Sequence, residues 1–412
     1  MNGAFIVAGL SRVRRRARES PAQKRPGCRT LESPATMRVL ADDFSGAAEV
    51  AGVGFRYGLQ AAVQLDSQVP APHRELAVLD IDSRSKSEGE AVGLVESALD
   101  RGRIVFKKID SVLRGHVVAE IRPFLESKRY SRALVVPFNP DLGRGIRNGV
   151  YRVHDVPISH TPFRDDPEYP ITTSDVLTML GAGEGVVRLC RLSDALPDTG
   201  IVIGEGETFE ELEAWADRVD AKTVPVGGAP FFAAWLKSRG TRAGRPPCPE
   251  AGQTTLVVSG TTSRVVDWRS VREEGVVRLL AMPEAVFEGS QEDVSGWAAD
   301  VVATLDATGV AVVSIGGARL LDRSQSPRLA ARLAEVAASV LTRRPVDQLW
   351  LEGGATASAV VRQMGWISLD VVGEAAPGVV QLRPVSGGPL ITVKPGSYPW
   401  RRGVVGCQPK AV

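Results

Sequence analysis

The stretch "MRVLADDFSGAAEVAGVGF" (37–55) combines a short apolar run, a turn of acidic and small residues, and an amphipathic helical segment. Runs such as "ALVVP" (133–137) and "TLVVS" (255–259) are apolar throughout, which is typical of strands buried on both faces of a sheet. Strands that alternate with helices indicate an α/β fold with mainly parallel sheets. The complete pattern recurs at 103–125, 255–271 and 348–364, and its run and turn recur at 133–149 and 310–321.

The 412-residue chain is too long for one ordinary hydrophobic core, so we expect two domains. The segment 238–253, rich in Gly and Pro and without an apolar period, predicts the boundary. We expect a first domain over 37–240 and a second over 254–412, each built on a mainly parallel sheet with flanking helices. Ligands of such sheets bind beyond the carboxyl ends of the strands, so the active site is expected in the cleft between the domains. Within the first domain, a surface helix is predicted to begin at Thr208.

Residues 1–36 are basic, with eight Lys and Arg against two Asp and Glu. The apolar "FIVAGL" precedes the charged "SRVRRRARESPAQKRPG", which is the reverse of the order in a secretory signal. We expect a disordered extension or a start site assigned too early, since Met37 opens directly onto the first strand. An arginine-rich organelle presequence is the alternative.

The composition is that of a globular protein, with 43% hydrophobic and 24% charged residues. The net charge is +2 for the whole chain and −4 for residues 37–412, which argues against a general nucleic-acid binder. The four cysteines form no CxxC pair and the four histidines show no ligand spacing, which argues against structural zinc and for a reducing compartment. No apolar run approaches the roughly 18 residues of a membrane span. We therefore expect a cytoplasmic protein.

Adjacent carboxylates end the first predicted strand, at Asp42 and Asp43. One of them could act as general base on a hydroxyl, and the other could orient it or hold Mg²⁺ through water. Ser45 and Gly46 then open a helix, whose N-terminal N–H groups favour an anion. The alternative is that Asp43 or Ser45 only caps this helix.

The segment "VFKKIDSVLRGH" (105–116) carries cations and an aspartate after another predicted strand. Lys107, Lys108 and Arg114 could neutralise a carboxylate or a transferring phosphate, and Asp110 could orient a hydroxyl. Arg84 follows a further strand and suits bidentate binding of a carboxylate. The turn in "PFNPDLGRG" (137–145) adds Gly143 and Arg144 to these charged turns. The alternative for each of these turns is a solvated loop or a helix cap.

Turns of the predicted second domain carry glycines and hydroxyls but few charges, as in "VSGTTS" (258–263), "SIGGAR" (314–319) and "EGGATAS" (352–358). Glycines let the backbone approach phosphates closely, so this chemistry suits a nucleotide. GxxxxGK[ST] is absent, which excludes a P-loop ATPase, and GxGxxG is absent as well. Lys394 and Gly396 follow another strand and are expected near the same phosphates.

From Met37 to about Tyr398 the chain resembles the four-carbon acid sugar kinases, which phosphorylate tetronates with ATP. The resemblance depends on the ordered motifs "ADDFSGAAE" (41–49), "DSRS" (82–85), "KKIDSVLRG" (107–115), "PFNPDLGRG" (137–145), "VVSGTTS" (257–263), "EGGATA" (352–357) and "VKPGSYP" (393–399). Members of the family often have an acidic residue at the position of Ala355, and their sequence around the position of Ser397 is different.

The resemblance implies that the first domain binds the acid sugar, that the second binds ATP, and that Mg²⁺ assists the transfer. It makes either Asp42 or Asp43 the catalytic base. The implied substrate-binding residues are Asp43, Arg84, Lys108, Ile109, Asp110, Ser111 and Arg114. The implied ATP-binding residues are Ser259, Gly353, Gly354, Ala355, Thr356 and Gly396. Threonate, erythronate and 3-oxo-tetronate are the candidate acids, with the terminal hydroxyl as acceptor, and a homodimer is the expected assembly.

Two other interpretations stay open at this point. The DxD in "AVLDIDSRS" (77–85) suggests a haloacid-dehalogenase-like phosphatase with Asp80 as nucleophile and Asp82 as acid and base, although Arg84 stands where Thr or Val is expected. The departures at Ala355 and Ser397 suggest a non-catalytic homologue that binds the ligands without turnover.

Overall fold

The computed structural model describes residues 36–66, 74–166, 169–181, 187–244, 252–260, 278–289, 291–316 and 325–396. The predicted extension over 1–36, apart from Thr36, lies outside the described residues. The distal parts of the turns beginning at Ser259, Ser314 and Lys394 lie outside them as well. We call 36–244 the N-terminal half and 252–396 the C-terminal half.

Strands and helices alternate along most of the N-terminal half. Its strands are Met37–Ala41 (β1), Ala61–Gln64 (β2), Leu76–Asp80 (β3), Ile104–Lys108 (β4), Arg132–Val136 (β5), Arg144–Arg147 (β6), Val150–Val153 (β7), Val156–Pro157 (β8), Val187–Cys190 (β9), Gly200–Gly204 (β10) and Thr223–Gly227 (β11). Its α-helices are Phe44–Arg56 (α1), Glu88–Asp100 (α2), Val117–Glu126 (α3), Val176–Met179 (α4), Phe209–Asp217 (α5) and Ala229–Ser238 (α6). Short 3-10 turns cover Pro140–Leu142, Ile158–His160 and Pro162–Asp165.

The C-terminal half repeats the alternation and ends in a β-hairpin and one further strand. Its strands are Thr255–Ser259 (β12), Arg278–Ala281 (β13), Val310–Ser314 (β14), Gln348–Glu352 (β15), Ser368–Ala376 (β16), Val379–Pro384 (β17) and Leu390–Lys394 (β18). Its helices are Glu284–Glu288 (α7), Gln291–Thr308 (α8), Ser326–Arg343 (α9) and Gly354–Gln363 (α10). No helix in the described ranges has both the length and the apolar character needed to cross a membrane.

One large sheet runs through both halves. Within the described residues its strand order is β13-β14-β12-β15-β18-β17-β16-β2-β3-β1-β4-β11-β5-β10-β9, while β6, β7 and β8 form a small separate sheet. The pairs in the large sheet are parallel except at β2–β16, β16–β17 and β17–β18. The predicted α/β class with mainly parallel strands is confirmed, and the structure adds that the two halves join through the antiparallel β2–β16 pair.

Most strands of the sheet are buried on both faces, as their continuously apolar sequences predict, whereas β13 at one edge is largely exposed. In β1, Val39 and Ala41 pack in a hydrophobic cluster that includes side chains of α1 and of the C-terminal half. Leu40 points the opposite way, into a second cluster with side chains of α2 and α3. All three residues are fully buried. Helices therefore cover both faces, and only the ends of the strands remain for a binding site.

Helix α1 connects the first strand to the C-terminal half. It begins after Asp43, whose Oδ1 accepts a hydrogen bond from the Gly46 N–H at 3.0 Å. A Cβ atom placed on Gly52 would lie 2.6 Å from Cγ2 of Val380 in β17. The glycine therefore lets α1 pack closely on the β16–β17 hairpin.

Candidate active site

The carboxyl end of β1 places a buried and a half-buried acidic residue, Asp42 and Asp43, at the start of α1. Asp43 has extended backbone angles and caps α1, so the capping interpretation is correct for this residue. Its Oδ2 also accepts a hydrogen bond from the Ser45 hydroxyl at 2.6 Å. Asp42 is 3% exposed and precedes the cap. The first helical turn of α1 therefore presents its N–H groups next to two carboxylates.

Arg84 binds both of these carboxylates. Its Nε donates to Asp42 Oδ2 at 2.9 Å, and its Nη1 and Nη2 donate to the two oxygens of Asp43 at 3.0 and 2.9 Å. The backbone N–H groups of Ser83 and Arg84 also donate to the Asp42 carbonyl oxygen, which fixes the loop after β3 against β1. Arg84 is thus held at the site through the aspartates.

The two aspartates differ in pKa. Burial raises the pKa of Asp42, and the nearby Arg84 offsets only part of that effect. Burial acts upward on Asp43 too, but Arg84, Lys108 and the Ser45 hydroxyl outweigh it and lower the pKa of this carboxyl. Asp43 is therefore the carboxylate that stays ionised most readily.

The two lysines at the end of β4 point in opposite directions. Lys107 is fully buried and its Nζ lies 2.6 Å from Glu120 Oε2 in α3. It therefore stabilises the fold on the far face of the sheet, and the expectation that it neutralises a ligand is wrong. Lys108 points toward α1, where its Nζ lies 3.6 Å from Glu49 Oε2 and beside Gly46.

Asp110 organises the loop that follows β4. Its carboxylate accepts hydrogen bonds from the backbone N–H groups of Val112 and Arg114 and a bidentate pair from the Arg114 guanidinium at 2.9 Å. Burial raises the pKa of Asp110, but Arg114 and Arg84 outweigh burial and lower it. Ile109 is buried and bonds through its N–H to the Gly227 carbonyl oxygen. The contacts of Ile109, Asp110 and Arg114 are therefore made with other groups of the protein. They hold Ser111 in place.

Ser111 contacts Arg144, from the turn that the sequence indicated at 143–144, and Tyr151, which the sequence did not assign to the site. Its hydroxyl accepts a hydrogen bond from Arg144 Nη1 at 2.5 Å, and its carbonyl oxygen accepts one from the Tyr151 hydroxyl. Arg144 also lies over the ring of Phe163, 5.2 Å from the centroid. The arginine in the turn near 144 was the only sequence signal for this group.

In the C-terminal half, three strand ends share a buried ion pair. Ser259, Glu352 and Lys394 are register neighbours at the ends of β12, β15 and β18. Glu352 accepts a hydrogen bond from the Ser259 hydroxyl at 2.6 Å and lies 2.9 Å from Lys394 Nζ. Glu352 and Lys394 are 2% and 1% exposed. This pair holds together the turns that follow the three strands, and its acidic member was missed by the sequence analysis.

The turn after β15 exposes the start of α10. Gly353 has φ +97°, a conformation that L side chains rarely adopt, and it precedes a helix with no side-chain cap. Gly396 packs close to Gly353, while Thr356 lies under Gly260. Ala355 belongs to the first turn of α10. The six residues implied for ATP therefore lie close together around one helix N-terminus, where N–H groups favour phosphate.

The two groups of turns meet between the halves. A Cβ atom on Gly354 would lie 2.8 Å from the Ser45 hydroxyl oxygen and 3.3 Å from Asp43 Oδ2. The N-termini of α1 and α10 are thus in direct contact, although 311 residues separate Asp43 from Gly354 in the sequence. A group bound at one turn would lie next to a group bound at the other.

Arg362 of α10 reaches across to β3. Its Nη2 donates to Asp80 Oδ2 at 2.8 Å, and its Nε lies 3.7 Å from Asp82 Oδ2. Asp80 is 1% exposed, and burial raises its pKa to about 7. A buried, ion-paired carboxylate cannot serve as an accessible nucleophile, so the phosphatase interpretation fails at its central residue.

The acidic residues of the site offer few ligands for a magnesium ion. The described residues contain no group of three or more His, Cys, Asp or Glu side chains that could hold a metal ion. Magnesium bound with nucleotide phosphates often takes only one or two protein carboxylates and keeps several waters. Asp42 Oδ1 is buried and has no hydrogen-bond partner among the described residues, whereas both oxygens of Asp43 accept hydrogen bonds. Asp42 therefore fits a magnesium ion that the nucleotide brings.

A cavity of about 310 Å³ lies beside α1. Its wall combines Glu49 and Asn139 with the first turn of α6 and the tip of the β16–β17 hairpin at 376–379. Since Glu49 is also the neighbour of Lys108, the cavity adjoins the carboxyl end of β4.

Two family models match the chain in succession. A sugar-binding N-terminal domain matches residues 37–234, and a nucleotide-binding C-terminal domain matches residues 258–398. The residues grouped at β1 and β4 fall in the first match, and those grouped at β12, β15 and β18 fall in the second.

Curated relatives align over most of the chain. The D-threonate kinase of Bordetella bronchiseptica is 25% identical over 83% of this chain and 88% of its own length, and that of Cupriavidus necator is 28% identical over 83% and 88%. The 3-oxo-tetronate kinase of Methylobacterium radiotolerans is 26% identical over 87% of this chain and 95% of its own.

Solved structures share the fold. A Haemophilus influenzae protein superposes with a TM-score of 0.65 at 21% identity, and a Salmonella typhimurium LT2 protein with a TM-score of 0.72 at 16% identity. Each match covers 90% of this chain and 98% of the other.

Proposed function

Because the chain belongs to the four-carbon acid sugar kinase family and is a carbohydrate kinase, we propose that it transfers the terminal phosphoryl group of ATP to a four-carbon acid sugar. Threonate, erythronate and 3-oxo-tetronate are the candidate acceptors, since relatives are named D-threonate kinase and 3-oxo-tetronate kinase. The terminal hydroxyl is the proposed acceptor group. The proposed domains remain 37–240 for the acid and 254–412 for ATP, and a cytoplasmic homodimer stays a prediction.

The observation that supports this proposal best is the contact between Gly354 and the Ser45–Asp43 turn. Phosphoryl transfer requires alignment of donor and acceptor and neutralisation of charge more than covalent chemistry by the protein. A nucleotide phosphate at the N-terminus of α10 and a hydroxyl at Asp43 would therefore be neighbours.

Asp43 is the proposed base. The acceptor oxygen attacks the terminal phosphorus, the bond from that phosphorus to the bridging oxygen of ADP breaks, and the hydroxyl proton passes to the Asp43 carboxylate. The low pKa of Asp43 keeps it ionised before transfer, and Arg84 holds both of its oxygens in place. Lys108 adds positive charge beside the same turn.

The proposed nucleotide site comprises Ser259, Gly353, Gly354, Ala355, Thr356 and Gly396. The N–H groups at the start of α10 supply donors for phosphate oxygens, and the glycines let the phosphates approach the backbone. A magnesium ion, held by Asp42 directly or through water, would supply charge neutralisation on the phosphates.

The test is release of ADP by the full chain with Mg-ATP and a panel of D- and L-threonate, D- and L-erythronate and 3-oxo-tetronates. Release that depends on one of these acids is expected and would identify the acceptor. If ATP binds but no acid stimulates ADP release, the chain is a ligand-binding homologue without turnover for these acids, and the proposal is wrong.

A further inference from the structure

Arg144, the first residue of β6, is buried without a complete set of partners. It is 7% exposed, and its Nη1 donates to the neutral hydroxyl of Ser111. Its Nε is buried and has no hydrogen-bond partner among the described residues. The ring of Phe163 covers the guanidinium at 5.2 Å and fixes its plane. The side chain is held in place with one buried donor that has no partner among the described residues.

Arg144 differs from three other buried or half-buried arginines of the N-terminal half in its lack of a counter-charge. Arg84, Arg114 and Arg132 each have a nitrogen 2.7–2.9 Å from a carboxylate oxygen. Arg144 has no carboxylate within 4.0 Å in the described part of the chain. A buried cation without a counter-charge is costly, so the site favours an anion that arrives from outside.

Asn139 adds an acceptor beside this donor. The two residues exchange backbone hydrogen bonds at 2.9 and 3.0 Å. Asn139 is 4% exposed, and its side-chain oxygen is buried without a partner among the described residues. An acid sugar carries both complementary groups, because its carboxylate accepts hydrogen bonds and its hydroxyls donate them.

The position of this pair suits one end of a small substrate. Ser111, the partner of Arg144, lies three residues beyond Lys108, and Gly228 at the start of α6 packs against it. The 310 Å³ cavity reaches Asn139 and the first turn of α6. In the sheet, β4 and β11 separate β1 from β5, so Asn139, which follows β5, lies on the side away from Asp43.

We propose that Arg144 binds the carboxylate of the acid sugar and that Asn139 accepts a hydrogen bond from one of its hydroxyls. This inference rests on the proposed function, and it orients the substrate with its carboxylate at Arg144 and its terminal hydroxyl at Asp43. Arg144 is then the residue that selects an acid over a neutral polyol of the same size.

The experiment compares Arg144→Gln with Arg132→Gln as a matched control. Arg132 is also buried but binds Asp220, far from the proposed carboxylate. The measured quantity is the ratio of kcat/KM for the preferred acid to kcat/KM for its amide. Loss of a hydrogen-bonded charge pair is expected to lower this preference about 10- to 100-fold in R144Q. The KM for ATP should not change, and R132Q should lose stability while it keeps the preference.

An unchanged acid-to-amide ratio in R144Q would overturn the inference and leave the kinase proposal intact. If the wild-type chain turns over none of the acids, the kinase proposal fails, and the inference is then decided by thermal unfolding with threonate. A threonate-dependent rise in Tm that R144Q abolishes and R132Q retains would support it. A rise that R144Q retains, or no rise in the wild type, would overturn it.

Discussion

At the residue scale, Asp43 combines a structural role with the proposed catalytic one. The same carboxylate that accepts the Gly46 N–H and caps α1 also faces Arg84 and Gly354. Sequence reasoning set a helix cap against a catalytic base, but the structure makes these roles compatible. Because a cap has fixed geometry, it places the carboxylate with little conformational freedom.

Asp80 should make stability depend on pH. Its folded pKa of about 7 lies above the ordinary value of 3.8, so the folded state binds the proton more tightly than the unfolded state. This contribution is fully present below pH ~4 and is lost as pH rises through about 7, by up to about 4 kcal/mol. In Asp80→Asn the loss should disappear.

The measurement is the free energy of unfolding of wild type and Asp80→Asn from pH 5 to 8. We expect the free energy of unfolding of the variant to increase relative to that of wild type as pH rises. Asp82→Asn is the matched control, because Asp82 contacts the same arginine at 3.7 Å but is far more exposed. Parallel pH profiles for wild type and Asp80→Asn would contradict a raised pKa of Asp80 in the folded state.

Lys107 and Glu120 form a buried pair whose members depend on each other. Lys107→Met should destabilise the fold by about 3–5 kcal/mol, because Glu120 would be left as an uncompensated buried charge. The double variant Lys107→Met with Glu120→Leu should recover much of that loss in chemical denaturation. If the double variant lost as much free energy of unfolding as the two single substitutions added together, Lys107 and Glu120 would not depend on each other.

Residue identity and spacing indicated the acidic turn after β1 and the cationic turn after β4. Alternation along a strand predicts that Lys107 and Lys108 point in opposite directions, but it cannot say which face holds Glu120. The orientation of Arg144 depends on Ser111 and Phe163, which are distant in the sequence. Such contacts depend on tertiary packing and leave no local pattern.

At the element scale, α1 is the helix on which the two halves converge. Its N-terminus lies against Gly354, and its middle packs on β17 through Gly52. A glycine in a helix interior is normally unfavourable by about 1 kcal/mol relative to alanine. Its presence at position 52 is explained by the close approach of Val380.

Gly52→Ala should therefore destabilise the protein despite the better helix propensity of alanine. The added methyl would meet Val380 at 2.6 Å, and overpacking of this kind costs about 1–3 kcal/mol. Gly93→Ala in α2 is the control, since nothing lies within 4 Å of its Cβ position. It should stabilise by about 0.5–1 kcal/mol. Equal effects in thermal unfolding would contradict close packing of α1 on the hairpin.

Single elements were more predictable than their pairing. The helix expected from Thr208 is present as α5, with Thr208 as its N-cap in a capping box with Glu211. The pairing of β2 with β16 could not be predicted, because it joins residues about 300 positions apart and depends on the packing of both halves.

At the scale of the whole molecule, ion pairs connect the two halves at several places. Arg362 binds Asp80, Arg74 binds Asp370 at 2.6 Å, and Arg56 binds Glu374 at 2.9 Å. Each arginine or its partner is partly exposed, so each pair contributes only modestly to stability. Their common effect is to tie the two halves together, and the Arg362–Asp80 pair does so through α10.

The most direct test of this account compares wild type with Asp43→Asn in acid-dependent ADP release and in ATP binding. Asparagine caps helices as well as aspartate does, so the fold and the Kd for ATP should be kept. Loss of the base should lower kcat by about 10²- to 10⁴-fold. A variant that binds ATP normally and has lost turnover is the predicted result. Near-normal turnover in Asp43→Asn would contradict the central claim that phosphoryl transfer occurs at this carboxylate.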